Sequence, residues 1–159
     1  MLKRIVVVLV LICFAVPVYA GDDIAKKLNS ILLQGPKNGN WQIKAADVAK
    51  WIQEGKKDFQ VVDVRLNPKE YASGHIPGAI YIPYHKILEP ANLKKLHKDK
   101  KIILVCVTGQ TQNLPVLALR LLGYDARTVS FGHAAWIKGY YGGRIMSGAI
   151  KAARHPITK

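Results

Sequence analysis

The chain predicts an α/β domain built on a mainly parallel sheet, and three observations lead there. Two short, apolar, β-branched runs, residues 59–64 (FQVVDV) and 101–105 (KIILV), read as buried strands. Between and after them the apolar period changes from strand-like to helical. In residues 113–122, Leu114, Leu117, Ala118, Leu121 and Leu122 fall at i, i+3, i+4, i+7 and i+8, the stripe of a largely buried amphipathic helix. Strands alternating with helices specify crossover connections and hence parallel pairing. At 159 residues and 50% apolar content the chain can bury one core, and it shows no internal repeat.

Taken in order, the elements are these. Residues 1–20 read as a secretory signal peptide: Lys3-Arg4, an apolar run of 12 residues at 5–16, Pro17, then Val18-Tyr19-Ala20, with the cut between Ala20 and Gly21. The run is short of the roughly 20 residues a membrane span needs. The expected location is therefore periplasmic or secreted, with a membrane partner only if the segment stays uncleaved. Residues 21–40 are an N-terminal helix and linker: Ile24, Leu28, Ile31 and Leu32 have helical spacing, and Gly35-Pro36 stops them. The main domain occupies 41–139. It opens with a short strand at 41–43 and a helix at 45–53 capped near Gly55. The 59–64 strand follows, then a helical turn started by Asn67-Pro68, and a loop into a short strand at 75–83. A short helix at 90–96 precedes the strand at 101–105 and the helix at 113–122, whose first turn tolerates Pro115 and whose end is Gly123. A last strand spans 126–129. Residues 140–159 form a basic tail with a helix near 146–154.

The net charge is +14, or +12 once the leader removes Lys3 and Arg4. An exported protein rarely meets nucleic acid, and the lysines are dispersed (26–27, 56–57, 94–95, 98–101). They read as solvated surface charge that draws small anions toward any cleft. Cys13 leaves with the leader, so the mature chain keeps only Cys106 and has no internal disulfide. A lone cysteine in an oxidising compartment is a liability unless it is buried and inert or kept for its reactivity.

Cys106 ends the 101–105 strand, where ligands of parallel α/β sheets gather. A small polar loop follows, then a helix start, whose N–H groups have no internal partners. A loop curling about the sulfur makes an anion-binding nest. The expectation is a thiolate, or an anionic sulfur product of it, cradled by the amides of Val107, Thr108, Gly109, Gln110, Thr111 and Gln112, with Gly109 permitting a left-handed turn. The alternative is a core cysteine capping a buried strand.

The stretch VVDVRLNPKEYASGHIPGAIYIP (61–83) resembles the N-terminal signature of rhodanese domains through Asp63, Arg65, Glu70, Tyr71 and the GHIPGA at Gly74 to Ala79. ILVCVTGQTQ resembles that family's active loop, and LLGY and FGHAAW (131–136) its closing stretches, so the resemblance covers about residues 41–139. It implies the rhodanese-like fold, a mainly parallel sheet with helices on both faces. It implies a sulfurtransferase in which Cys106 takes sulfane sulfur from a small sulfur-containing anion and passes it to a thiol, cyanide or protein-thiol acceptor. No cofactor, metal or nucleic acid enters that chemistry, and the histidines (75, 85, 97, 133, 155) lack metal-ligand spacing. Asp63 and Arg65 are expected to form a charge-assisted pair pinning the GHIPGA segment. His75 is expected to bond backbone in support of the site. Two positions depart from the family pattern: Thr111 stands where arginine is common, and His133 where a second glycine is usual. The competing readings are a non-catalytic binding module for an anion or protein, and a phosphatase or arsenate reductase, which wants a longer loop and an arginine.

Overall fold

A computed structural model describes residues 19–156. In chain order the regular elements are helix α1 (Tyr19–Gln34), strand β1 (Gln42–Ile43), helix α2 (Ala45–Gln53), strand β2 (Phe59–Asp63), helix α3 (Pro68–Ser73), strand β3 (Ile80–Tyr81), helix α4 (Pro90–Leu93), strand β4 (Lys101–Val105), helix α5 (Val116–Leu121), strand β5 (Asp125–Val129) and helix α6 (Tyr141–Ala152). The leader read over residues 1–20, Cys13 included, lies outside the described residues except for its last two positions, which begin α1. Among the described residues no helix is long and apolar enough to cross a membrane.

The five strands form one sheet in the order β1-β5-β4-β2-β3, and every pairing is parallel. Alternation along β4 explains the layering, because successive strand residues point to opposite faces. Ile102 and Leu104 join one apolar cluster with Val62, Leu119, Tyr124 and the packed Ile31 and Leu93 of α1 and α4. Ile103 and Val105 join the other, with Val61, Val129, Val48 of α2 and Trp136. The sheet is thus covered by helices on both faces, and its central strands are apolar throughout.

Among the boundaries that differ from the sequence expectation, three have a clear local reason. The helix expected at 113–122 is the shorter α5, preceded by a separate 3-10 turn at Thr111–Asn113. Asn113 Nδ2 donates back to the Gly109 carbonyl at 2.7 Å, and the Gln112 side chain turns inward. Trp41 lies outside the first strand, in a left-handed conformation (φ 60°), buried beneath the Arg120 guanidinium, which sits 3.5 Å from its ring centroid. The tail helix begins at Tyr141, well before residue 146, and packs on the loop that follows β4.

Candidate functional site

The register of the two central strands builds the site. Asp63, the last residue of β2, pairs with Val105, the last of β4, and Val64 N–H donates to the Val105 carbonyl at 2.9 Å. Arg65 and Cys106 therefore leave the sheet side by side at its carboxyl end.

Cys106 lines a cleft of about 260 Å³ together with Val107, Thr108, Gln110 and Thr111. Arg65, Glu70 and Tyr141 form the facing wall. The sulfur residue itself is only 2% exposed and belongs to the apolar cluster that holds Val116 and Leu119. Its own N–H is taken: Gln112, 1% exposed, accepts it on Oε1 at 2.8 Å and donates Nε2 to the Val129 carbonyl at 2.5 Å. The Gln112 side chain is thus a bracket between β4 and β5. The backbone N–H groups of the next six residues, Val107 to Gln112, donate to no backbone or side-chain acceptor among the described residues. The helix start expected to aim its dipole at the sulfur is replaced by the 3-10 turn, so the amide donors belong to the loop itself.

Two glycines allow this loop to pack. Gly109 has φ +87°, and a Cβ there would meet the Phe131 backbone at 2.9 Å. Gly132 has φ +56°, and a Cβ there would meet the Cys106 carbonyl oxygen at 2.3 Å.

Asp63 and Arg65 are both buried and form a tight pair. Arg65 Nε is 3.0 Å from both carboxylate oxygens, and Nη2 donates to Oδ2 at 2.5 Å. The remaining donors of the guanidinium reach the Gly74 carbonyl (2.7 Å) and the Tyr140 hydroxyl (3.1 Å). The arginine therefore ties the start of GHIPGA to the segment before α6. Tyr71 donates to the Ala79 carbonyl at 2.8 Å. His75 is exposed, stacks on the Tyr71 ring at 3.9 Å, and sets Nδ1 2.9 Å from the Tyr71 carbonyl. It does not line the cleft. At the cleft wall Tyr141 donates to Glu70 Oε1 at 2.8 Å; burial and this bond push the phenol's pKa well up, so it remains a neutral donor. Arg65, already ion-paired, and Glu70 are the charged residues of this lining, and Thr111 adds no cation.

His133 is fully buried behind the loop, a place no local pattern signals. Its backbone N–H donates to the Cys106 carbonyl at 2.8 Å, and Nδ1 lies 3.1 Å from the same oxygen. A carbonyl only accepts, so Nδ1 carries the hydrogen in the neutral ring. Nε2 has no hydrogen-bond partner among the described residues and lies 3.7 Å from Asp63 Oδ2. Burial, with the Arg65 charge, holds the imidazole pKa below its ordinary 6.5, against the opposing pull of Asp63 and the Cys106 carbonyl. Between the folded and unfolded values the unfolded chain carries the extra proton. Stability therefore rises with pH across that window, by at most about 1.4 kcal/mol per pH unit for one proton. The His133 contribution is complete above the unfolded value and is lost as pH falls below it. We expect His133→Asn, which keeps a donor for the Cys106 carbonyl but cannot titrate, to flatten the decline in stability on acidification. Urea melts of both proteins from neutral pH downward test this, and parallel curves would reject it.

The sequence profile of the Rhodanese-like domain family matches residues 44–139. Among relatives, the probable adenylyltransferase/sulfurtransferase MoeZ of Mycobacterium tuberculosis is 33% identical over 97 residues, which is 60% of this chain but 24% of that protein. A sulfurtransferase of Allochromatium vinosum is 30% identical over 83 residues, covering 52% of this chain and 75% of its own. The crystal structure of a rhodanese-like domain protein from Staphylococcus aureus superposes with a TM-score of 0.54 at 34% identity, covering 60% of this chain and 90% of its own. With an all-parallel sheet, helices on both faces and a cysteine loop at the carboxyl end of its central strand, the chain belongs to the rhodanese-like domain family.

Proposed function

We propose that the protein is an exported sulfurtransferase that carries sulfane sulfur on Cys106. The observation that supports this best is the run of backbone N–H groups from Val107 to Gln112, unpartnered among the described residues, following a cysteine that lines the cleft. Oriented amides stabilise charge that develops at a reacting anion without reorganising. In the first step the Cys106 thiolate attacks the outer sulfur of the donor. A new S–S bond forms, the donor's bond to that sulfur breaks, and the leaving group departs with the electron pair. In the second step an acceptor thiolate or cyanide attacks the terminal sulfur, and Cys106 leaves as thiolate. The cycle is redox-neutral and divides one transfer into two displacements.

The cleft's charge bears on the donor. Arg65 is neutralised by Asp63, and Glu70 is itself an anion. A persulfide, with a single charge on its sulfur, suits this site better than the thiosulfate dianion. The lack of a free cation among the described residues of the lining also argues against phosphate chemistry, which leans on arginine. The near-complete burial of Cys106 favours the second reading, a binding module in which the cysteine is only a core residue.

Intact-mass measurement separates the two. After incubation with a small-molecule persulfide or polysulfide the protein should gain one sulfur, releasable by cyanide as thiocyanate and absent in Cys106→Ser; thiosulfate should load more slowly than the singly charged persulfide. No adduct with either donor would overturn the sulfurtransferase reading and leave the binding module.

A further inference from the structure

Helix α6 leaves an open groove beside the cleft. The groove has a volume of about 680 Å³ and runs between the 3-10 turn at Gly132–Ala135 and α6. Ala134, Ala135 and Gly143 form its floor, and this floor continues into an apolar shelf made by Phe131, Met146 and Ile150. Phe131 and Ile150 are 61% and 71% exposed. The rim carries Lys138, Arg144 and Lys151. Among the described residues the groove lining holds no acid and none of the three forms an ion pair, and residues 126–159 contain six Lys and Arg and no Asp or Glu.

Two contacts join this groove to the cysteine loop. Tyr141 lines the cleft and Gly143 lines the groove, while Gly142 between them sits so close that a Cβ would meet Val107 Cγ1 at 2.9 Å. At the other end, Phe131 backbone lies against Gly109.

We infer that this groove docks an acidic, amphipathic segment of a partner protein that presents a cysteine thiol to the Cys106 cleft. The inference rests on the sulfurtransferase reading for the transfer but not for the docking. Its apolar floor fits an apolar anchor, and its acid-free cationic rim fits surrounding carboxylates. A second basic patch, Lys56, Lys57, His97 and Lys100, lies by Phe59 and Lys101, at the opposite end of the strands from Cys106. A partner held there cannot reach the sulfur. A flat anionic membrane needs neither the concavity nor its position next to the cleft.

The test uses three short helical peptides, each with one cysteine and a leucine face, whose remaining positions are glutamate, glutamine or lysine. The persulfide-loaded protein should transfer sulfur to the glutamate peptide about tenfold faster than to the others, and high salt should erase the preference. Lys138 and Lys151 make no side-chain hydrogen bond or ion pair among the described residues, so Lys138→Glu/Lys151→Glu should remove the preference and leave transfer to cyanide unchanged. The distal pair Lys57→Glu/Lys100→Glu should keep it. Fluorescence anisotropy of the same peptides with Cys106→Ser reports docking without transfer. Acid-selective binding without any sulfur transfer would overturn the transfer part and retain the docking. Equal transfer to all three peptides, an equal loss from the distal pair, or binding to phosphatidylglycerol vesicles with no peptide selectivity would overturn the docking.

Discussion

Asp63→Ala should cost about 3–5 kcal/mol of stability, a large share of the roughly 5–15 kcal/mol that holds a typical domain. The carboxylate is 0% exposed and accepts from the Arg65 N–H, Nε and Nη2. Removing it leaves a guanidinium, 2% exposed, with the Gly74 carbonyl and the Tyr140 hydroxyl as its remaining acceptors among the described residues. An uncompensated buried charge is far more costly than the net worth of the pair. The double replacement Asp63→Leu/Arg65→Met should therefore be less damaging than Asp63→Ala alone. By contrast, Glu54→Ala breaks two exposed pairs, with Lys50 and Lys56, and should change stability by less than about 1 kcal/mol. Equilibrium unfolding in urea measures all three; a single-variant cost equal to that of Glu54→Ala would show that the pair is not buried in solution.

The pair also shows how much of the site is legible in the sequence. Asp63 ends β2, and Arg65 and Cys106 lie just past the ends of β2 and β4, positions legible in the sequence because buried parallel strands are written locally, as β-branched runs of about five residues. In-register pairing of β2 with β4 then brings those ends together. The loop's bracing was not legible in the same way. Gln112 reaches Val129 and His133 reaches Cys106, across separations of 17 and 27 residues. A polar residue that satisfies a distant backbone group has no sequence period. Its one trace is a mismatch: His133 stands where the family pattern has glycine, and that position is fully buried. Helix α6 was obscured for another reason. Its first residues, Tyr141-Gly142-Gly143, are poor helix formers, and tertiary contact with Val107 and Thr108 overrides their propensity.

Gly132→Ala should cost about 2–5 kcal/mol and abolish sulfur loading together with stability of the loop. Two effects add. The residue sits at φ +56°, a left-handed conformation that any Cβ disfavours. The new methyl would also lie 2.3 Å from the Cys106 carbonyl oxygen and 2.8 Å from Gly109 N. Both are backbone atoms, so no side-chain rotation relieves the overlap. The Cys106 carbonyl cannot retreat cheaply either, because it accepts from the His133 N–H at 2.8 Å and lies 3.1 Å from the ring Nδ1. The loop must shift, and with it the amides from Val107 onward. Glycines of α6 calibrate the effect. Gly148→Ala meets nothing within 4 Å and should be neutral to stabilising by up to about 1 kcal/mol. Gly142→Ala meets a Val107 methyl at 2.9 Å and its carbonyl at 3.0 Å, and should fall between the two. Calorimetry on the three variants, with the polysulfide mass assay on each folded protein, tests the order. A Gly132→Ala protein as stable as Gly148→Ala and still able to load sulfur would mean that the loop does not pack on residues 131–132 as described.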